Sequence, residues 1–148
     1  MHKQARRAVV AGMAMVLAVA AMAHDGVQNP AVMARMDAMS EIGKATEILV
    51  KMAKGQRDFD AEGARQAAED IAREAARTPA LFAMPETDPK SEALPRIWEE
   101  PSDFSARATA LEQVAAQAST QIMTQQDLGR AVAGIADTCK SCHRLYRE

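Results

Sequence analysis

Two thiols three residues apart, followed at once by an imidazole, form the pentapeptide Cys139-Lys140-Ser141-Cys142-His143. That spacing is the signature of covalent c-type haem attachment. Residues three apart share a helix face, so Cys139 and Cys142 can both reach the vinyl edge of a porphyrin as thioethers while His143 turns its ring onto the iron. Three other readings use the same side chains: a disulfide, half of a structural zinc site, and a thioredoxin-like redox pair. Zinc takes about four Cys or His ligands, and the chain has two cysteines, with His24 the sole other histidine beyond the first segment. The redox pair needs a βαβ setting that the sequence does not offer. One covalent haem c is the expected cofactor, with Cys139 and Cys142 as anchors and His143 as proximal axial ligand.

The first 23 residues bear on where this chemistry takes place. Lys3, Arg6 and Arg7 precede an apolar run, Ala8 to Ala21, and Ala21-Met22-Ala23 then offers a small-residue cleavage site before His24. This pattern predicts a secretory signal peptide over 1–23 and a mature domain over 24–148. The run is shorter than the ~20 residues a membrane-spanning helix needs, and no later run is apolar enough, so the mature chain is expected to lack a transmembrane segment. For a bacterial chain that means the periplasm. The formal charge of −2 falls to −5 once the three cations of the leader are gone. Nucleic-acid binding is disfavoured by that balance, whereas an acidic surface suits a basic redox partner protein.

Four amphipathic segments must position the motif. The first opens with Asn29 as N-cap and Pro30 at the first helical position, carries Val32, Met36, Met39, Ile42, Leu49 and Met52, and ends near Ala53 with Gly55 beyond. The second runs from Asp60 to Thr78-Pro79, with Ala64, Ala67, Ile71 and Ala75 on one stripe. The third follows Pro101-Ser102, and Phe104, Ala108, Leu111, Ala115, Ala118 and Ile122 step alternately by four and three. The fourth starts after Thr124, and Leu128, Val132, Ile135, Cys139, Cys142 and Tyr146 keep the same rhythm, so the two cysteines continue a core seam. Strand signals are weak throughout. The expected fold is an all-α, antiparallel four-helix bundle with haem near its C-terminal end. Aromatics make up only 3% of the chain, so a core of small side chains needs something large to pack around.

Residues 78 to 101 hold five of the six prolines, which no continuous helix tolerates. The stretch is expected to cross the bundle as a loop tied down by Leu81, Phe82, Ile97 and Trp98. Trp98 is read as packing for that loop rather than as a partner of the haem edge.

These residues resemble the class II c-type cytochromes, that is, cytochrome c′ and its low-spin relatives. The resemblance spans nearly the whole mature chain. It rests on the C-terminal haem motif followed by Tyr146-Arg147, on Arg35 and Met39 four residues apart, on Ala53-Lys54-Gly55, and on Pro95-Arg96-Ile97-Trp98. It implies a left-handed four-helix bundle, a proximal histidine in the last helix and a distal side facing the first. It also implies a homodimer through the first two helices, although an alanine-rich second helix could equally face inward.

What occupies the sixth iron position then divides the functions. An open iron binds nitric oxide or carbon monoxide; a methionine sulfur closes the site and suits electron transfer. Met39 falls where the low-spin branch places its methionine, with Met36 one turn earlier as second choice. A methionine on a helix face is ordinarily core filler, but Met33, Met36 and Met39 lie within two turns and no other mature histidine except His24 is available. Arg35 is read either as a haem propionate contact or as an exposed helix-surface arginine. Arg147 is read as shielding the haem edge or complementing the helix end, and Tyr146 as seam packing. A periplasmic electron carrier is expected, with a five-coordinate gas-binding cytochrome as the alternative. An enzyme is not expected, since nothing resembles a distal His-Arg pair or a catalytic carboxylate cluster.

Overall fold

The structure, a computed structural model, describes residues 26–148; the leader expected over 1–23 lies outside them. Four long helices and one short one follow in order: α1 (Pro30–Ala53), α2 (Ala61–Leu81), α3 (Arg96–Glu99), α4 (Pro101–Gln121) and α5 (Gln125–Tyr146).

Local chemistry sets the helix ends. The Asn29 side chain accepts hydrogen bonds from the backbone N–H groups of Ala31 and Val32, 2.8 and 3.2 Å, and Pro30 supplies a helical φ where no donor is needed. At the other end of α1, Gly55 adopts φ +67, and the N–H groups of Gly55 and Gln56 return to the carbonyls of Met52 and Lys51. That paired return is a Schellman stop, and a side chain at Gly55 would strain it. Thr124 and Asp127 cap each other reciprocally at the start of α5.

Two expectations for the proline-rich stretch change. The second helix continues past Pro79 to Leu81, because the last turn needs few ladder bonds and Phe82 N–H still reaches the Thr78 carbonyl at 3.2 Å. A short helix, α3, forms between Pro95 and Pro101, which stand where a missing N–H costs nothing.

Around the bundle α1 packs on α2, α2 on α4, α4 on α5 and α5 on α1, the last seam being the least filled. At one end the Arg65 side chain donates to the Ile122 carbonyl at 3.2 Å and Gln125 donates to the Met52 carbonyl at 2.8 Å. At the opposite end Phe82 packs tilted against Phe104, and Phe104 meets Tyr146 edge to face, with ring centroids 5.0 and 5.4 Å apart. The long helices therefore alternate up, down, up, down. Since α2 ends beside the start of α4, the long loop does not cross the bundle; it folds over one end and roofs it.

The alanines of α2, namely Ala64, Ala67, Ala68 and Ala75, are all buried, so its small-residue stripe faces inward. They belong to the larger core cluster, with Leu49, Met52, Ile71, Leu128 and Ile135. A smaller cluster of Ile97, Phe104 and Tyr146 sits under the roof.

Asp88 pins the roof to α1. Its carboxylate accepts from the backbone N–H groups of Gln28, Asn29 and Lys90 at 2.8, 3.0 and 2.9 Å. The Lys90, Gln28 and Asn29 amides hold this carboxyl below its ordinary value. A carboxyl depressed on folding stabilises above its unfolded pKa, and that share is lost as pH falls through the lower folded value. We expect Asp88→Asn to lower the melting temperature at neutral pH. The gap from the parent should close as pH drops below the ordinary Asp value of about 3.9, as circular-dichroism melts across pH would show.

Candidate functional site

Beneath the roof lies a cavity of about 370 Å³, within the range of small-molecule and cofactor sites. Val32, Met36 and Met39 of α1 line one side, and Cys142, His143 and Tyr146 of α5 the other. Phe82, Ile97 and Phe104 make the closed end apolar, and Lys90 to Ala93 form the rim.

The cysteines straddle the two core clusters. Cys139 packs against the larger one and Cys142 against the smaller, one helical turn apart. Both are free thiols, and burial pushes both above their ordinary pKa. A raised thiol pKa is the reverse of what a thioredoxin-like nucleophile requires. No third ligand joins them in a group able to hold a metal ion among the described residues. His143 lies exposed at the rim, yet the surrounding protein pushes its pKa down, Arg147 adds to this and Glu92 opposes it. That direction favours the neutral ring, which is the ligating form.

The distal candidates both survive as cavity-lining side chains: Met36 and Met39 lie three residues apart on one face of α1. Met33 is 37% exposed and stands outside the lining.

Arg35 is not the exposed helix-surface arginine of the second reading. Its side chain is 3% exposed, far from a surface arginine. Its Nε, Nη1 and Nη2 donate to the carbonyls of Leu81, Glu86 and Met84 at 2.9, 2.7 and 2.6 Å. The guanidinium also lies 4.7 Å from the Phe82 ring centroid and 5.4 Å from that of Trp98. Three of its five N–H donors hold loop backbone, so Arg35 is the clamp of the roof while also lining the cavity. Trp98 serves the same loop, its Nε1 donating to the Phe82 carbonyl at 2.8 Å.

The rim was not legible in the sequence. Arg147, read as edge shield or helix complement, bonds Glu92 through Nε at 2.6 Å. Backbone bonds from Leu94 to Tyr146 and from Glu148 to Glu92, both 3.0 Å, tie the roof to the end of α5. The one available signal was Asp88-Pro89-Lys90-Ser91, a turn-forming run whose aspartate bonds the amide two residues on. Tyr146 packs as expected, and its hydroxyl also donates to Asp103 at 2.6 Å. Burial first, then Asp103 and Glu100, pushes it up to about 12.

A helical haem motif beside an apolar cavity in a four-helix bundle is matched by a family profile described as Cytochrome C′, over residues 30–147. The chain belongs to the cytochrome c′ family. Among its relatives, a cytochrome c-556 of Agrobacterium tumefaciens is 34% identical over 115 residues, covering 77% of this chain and 91% of that one. A cytochrome c′ of Rhodopseudomonas palustris is 31% identical over 121 residues, covering 81% and 83%. The solved structure of a cytochrome c′ from Rhodopseudomonas palustris superposes with a TM-score of 0.76 at 30% identity, covering 82% of this chain and 98% of that one. As a cytochrome c′ family member the chain is a c-type haem cytochrome with one covalently attached haem c. The residues fit that group: two half-buried thiols on one face, an imidazole directly after them, and an apolar cavity alongside.

Replacing both cysteines, Cys139→Ala with Cys142→Ala, should leave no haem in the protein after acid-acetone extraction, as read by absorbance of the precipitate. Arg35→Met removes the donor from three loop carbonyls and should cost roughly 2–4 kcal/mol. Urea unfolding gives that number, and limited proteolysis should begin between residues 83 and 92.

Proposed function

We propose that this cytochrome is an exported one-electron carrier whose haem iron is held by His143 and Met39. The observation that carries the reading is that His143 and Met39 line one cavity from opposite helices, α5 and α1. Both side chains stand on long, packed helices rather than on loops, which keeps ligand movement small between oxidation states. The haem, when bound, supplies the one-electron couple; the protein supplies axial ligands, exclusion of water and a dry apolar wall. Val32, Phe82, Ile97 and Phe104 form that wall. A thioether ligand favours ferrous iron over water or hydroxide.

The rest of the reading is of a carrier and not an enzyme. Of the ionisable groups lining the cavity, Glu92 is engaged with Arg147, Arg35 with the loop and Tyr146 with Asp103, while Cys142 and His143 belong to the haem motif. Residues 1–23 are proposed to direct export to the periplasm, where redox proteins would be its partners and a homodimer its assembly. Mass spectrometry of the exported protein should give a chain beginning near His24.

Met39→Ala tests the ligand. The ferric parent should be low-spin with the weak long-wavelength charge-transfer band of thioether-to-iron bonding, and the variant should lose that band, fall in reduction potential and bind carbon monoxide faster. Packing loss should be the ordinary roughly 2–5 kcal/mol of a buried Met→Ala change. If Met36→Ala loses the band and Met39→Ala keeps it, the ligand moves one turn and the carrier reading stands. A high-spin parent that takes up carbon monoxide readily replaces that reading with gas binding.

A further inference from the structure

The roof places one uncommitted cation on the cavity. Four cationic or potentially cationic side chains line it: Arg35, Lys90, His143 and Arg147. Arg35 is spent on three carbonyls, Arg147 on Glu92, and His143 is reserved for the iron. Lys90 alone has a charged group with no hydrogen-bond or ion-pair partner among the described residues. We infer that Lys90 binds a carboxylate of the prosthetic group, a haem propionate.

Three features make Lys90 a built contact. Its backbone is fixed by Asp88, which accepts from the Lys90 N–H at 2.9 Å while its backbone carbonyl accepts from Ser91 at 2.9 Å. Its stem passes beside Gly26, where φ is +87 and a Cβ would stand 3.4 Å from Lys90 Cε. The Asp88 carboxylate, two residues back, accepts from three backbone amides; it attracts the Lys90 ammonium through its charge without a hydrogen bond or ion pair to it. A propionate beside so apolar a wall is costly to desolvate without a counter-charge. The only lining carboxylate, Glu92, would repel it, and Glu92 is neutralised by Arg147.

The inference rests on the covalent haem and is independent of which methionine is the sixth ligand. Its test uses the haem-loaded protein with Lys90→Gln and Lys90→Arg. A water-soluble carbodiimide should activate the propionate carboxyl, and the Lys90 amine should then form an amide with loss of one water. Mass spectrometry should find the haem peptide joined to the peptide containing Lys90 in the parent and not in Lys90→Gln. An unpaired propionate favours ferric iron, so Lys90→Gln should shift the ferrous/ferric equilibrium three- to tenfold toward ferric, tenfold being 59 mV for one electron. Lys90→Arg should stay close to the parent in both readouts. A parent with no haem–Lys90 crosslink, together with a Lys90→Gln potential equal to the parent's, overturns the inference. The absorption spectrum of the parent reports the sixth ligand separately, so failure of the Met39 assignment leaves these outcomes as they are.

Discussion

A guanidinium with nowhere to go but three carbonyl oxygens organises the haem end of this bundle. The loop after α2 carries prolines at 85, 89 and 95 and cannot satisfy its own backbone as a helix would. Arg35 answers that deficit from inside α1, with Phe82 and Trp98 against the faces of its plane. Because the donor projects from the same helix as Met36 and Met39, the roof and the distal wall share a single rigid element. Burial lowers the Arg35 pKa, with Glu86 opposing.

The two halves of the interior solve different packing problems. Away from the haem end, alanines at 64, 67, 68, 115 and 118 let helices approach closely around a few large side chains such as Leu49 and Ile71. Toward the haem end the aromatic residues Phe82, Phe104 and Tyr146 gather at one wall, and the least filled seam, between α1 and α5, is left for the prosthetic group. A chain with so few aromatics thus concentrates them where a flat apolar face is needed.

The helices were legible because their signals are local. Asn29-Pro30, Gly55 and Thr124 with Asp127 are cap chemistry readable within a few residues, and the four-three rhythm of Leu128 to Tyr146 is a one-dimensional record of a buried face. The haem motif was legible for the same reason. What escaped the sequence was every contact made at long range by a polar side chain. Arg35 meets carbonyls 46, 49 and 51 residues away, and Arg147 meets Glu92 55 residues away. No period or spacing encodes such partners. The prolines announced a loop but not which end of the bundle it covers, since that depends on how α2 and α4 run relative to each other.

The placement of Cys139 on one core cluster and Cys142 on the other has a consequence for how the molecule opens. Proteins loosen in cooperative units, and the smaller cluster under the loop, with few large residues, is the unit with less to hold it closed. Two sulfur–carbon bonds to one rigid macrocycle staple the weaker unit to the stronger. A fluctuation that frees the roof then leaves the prosthetic group tethered at high local concentration, and reclosing is an intramolecular event. The group thus stays with the chain through such openings.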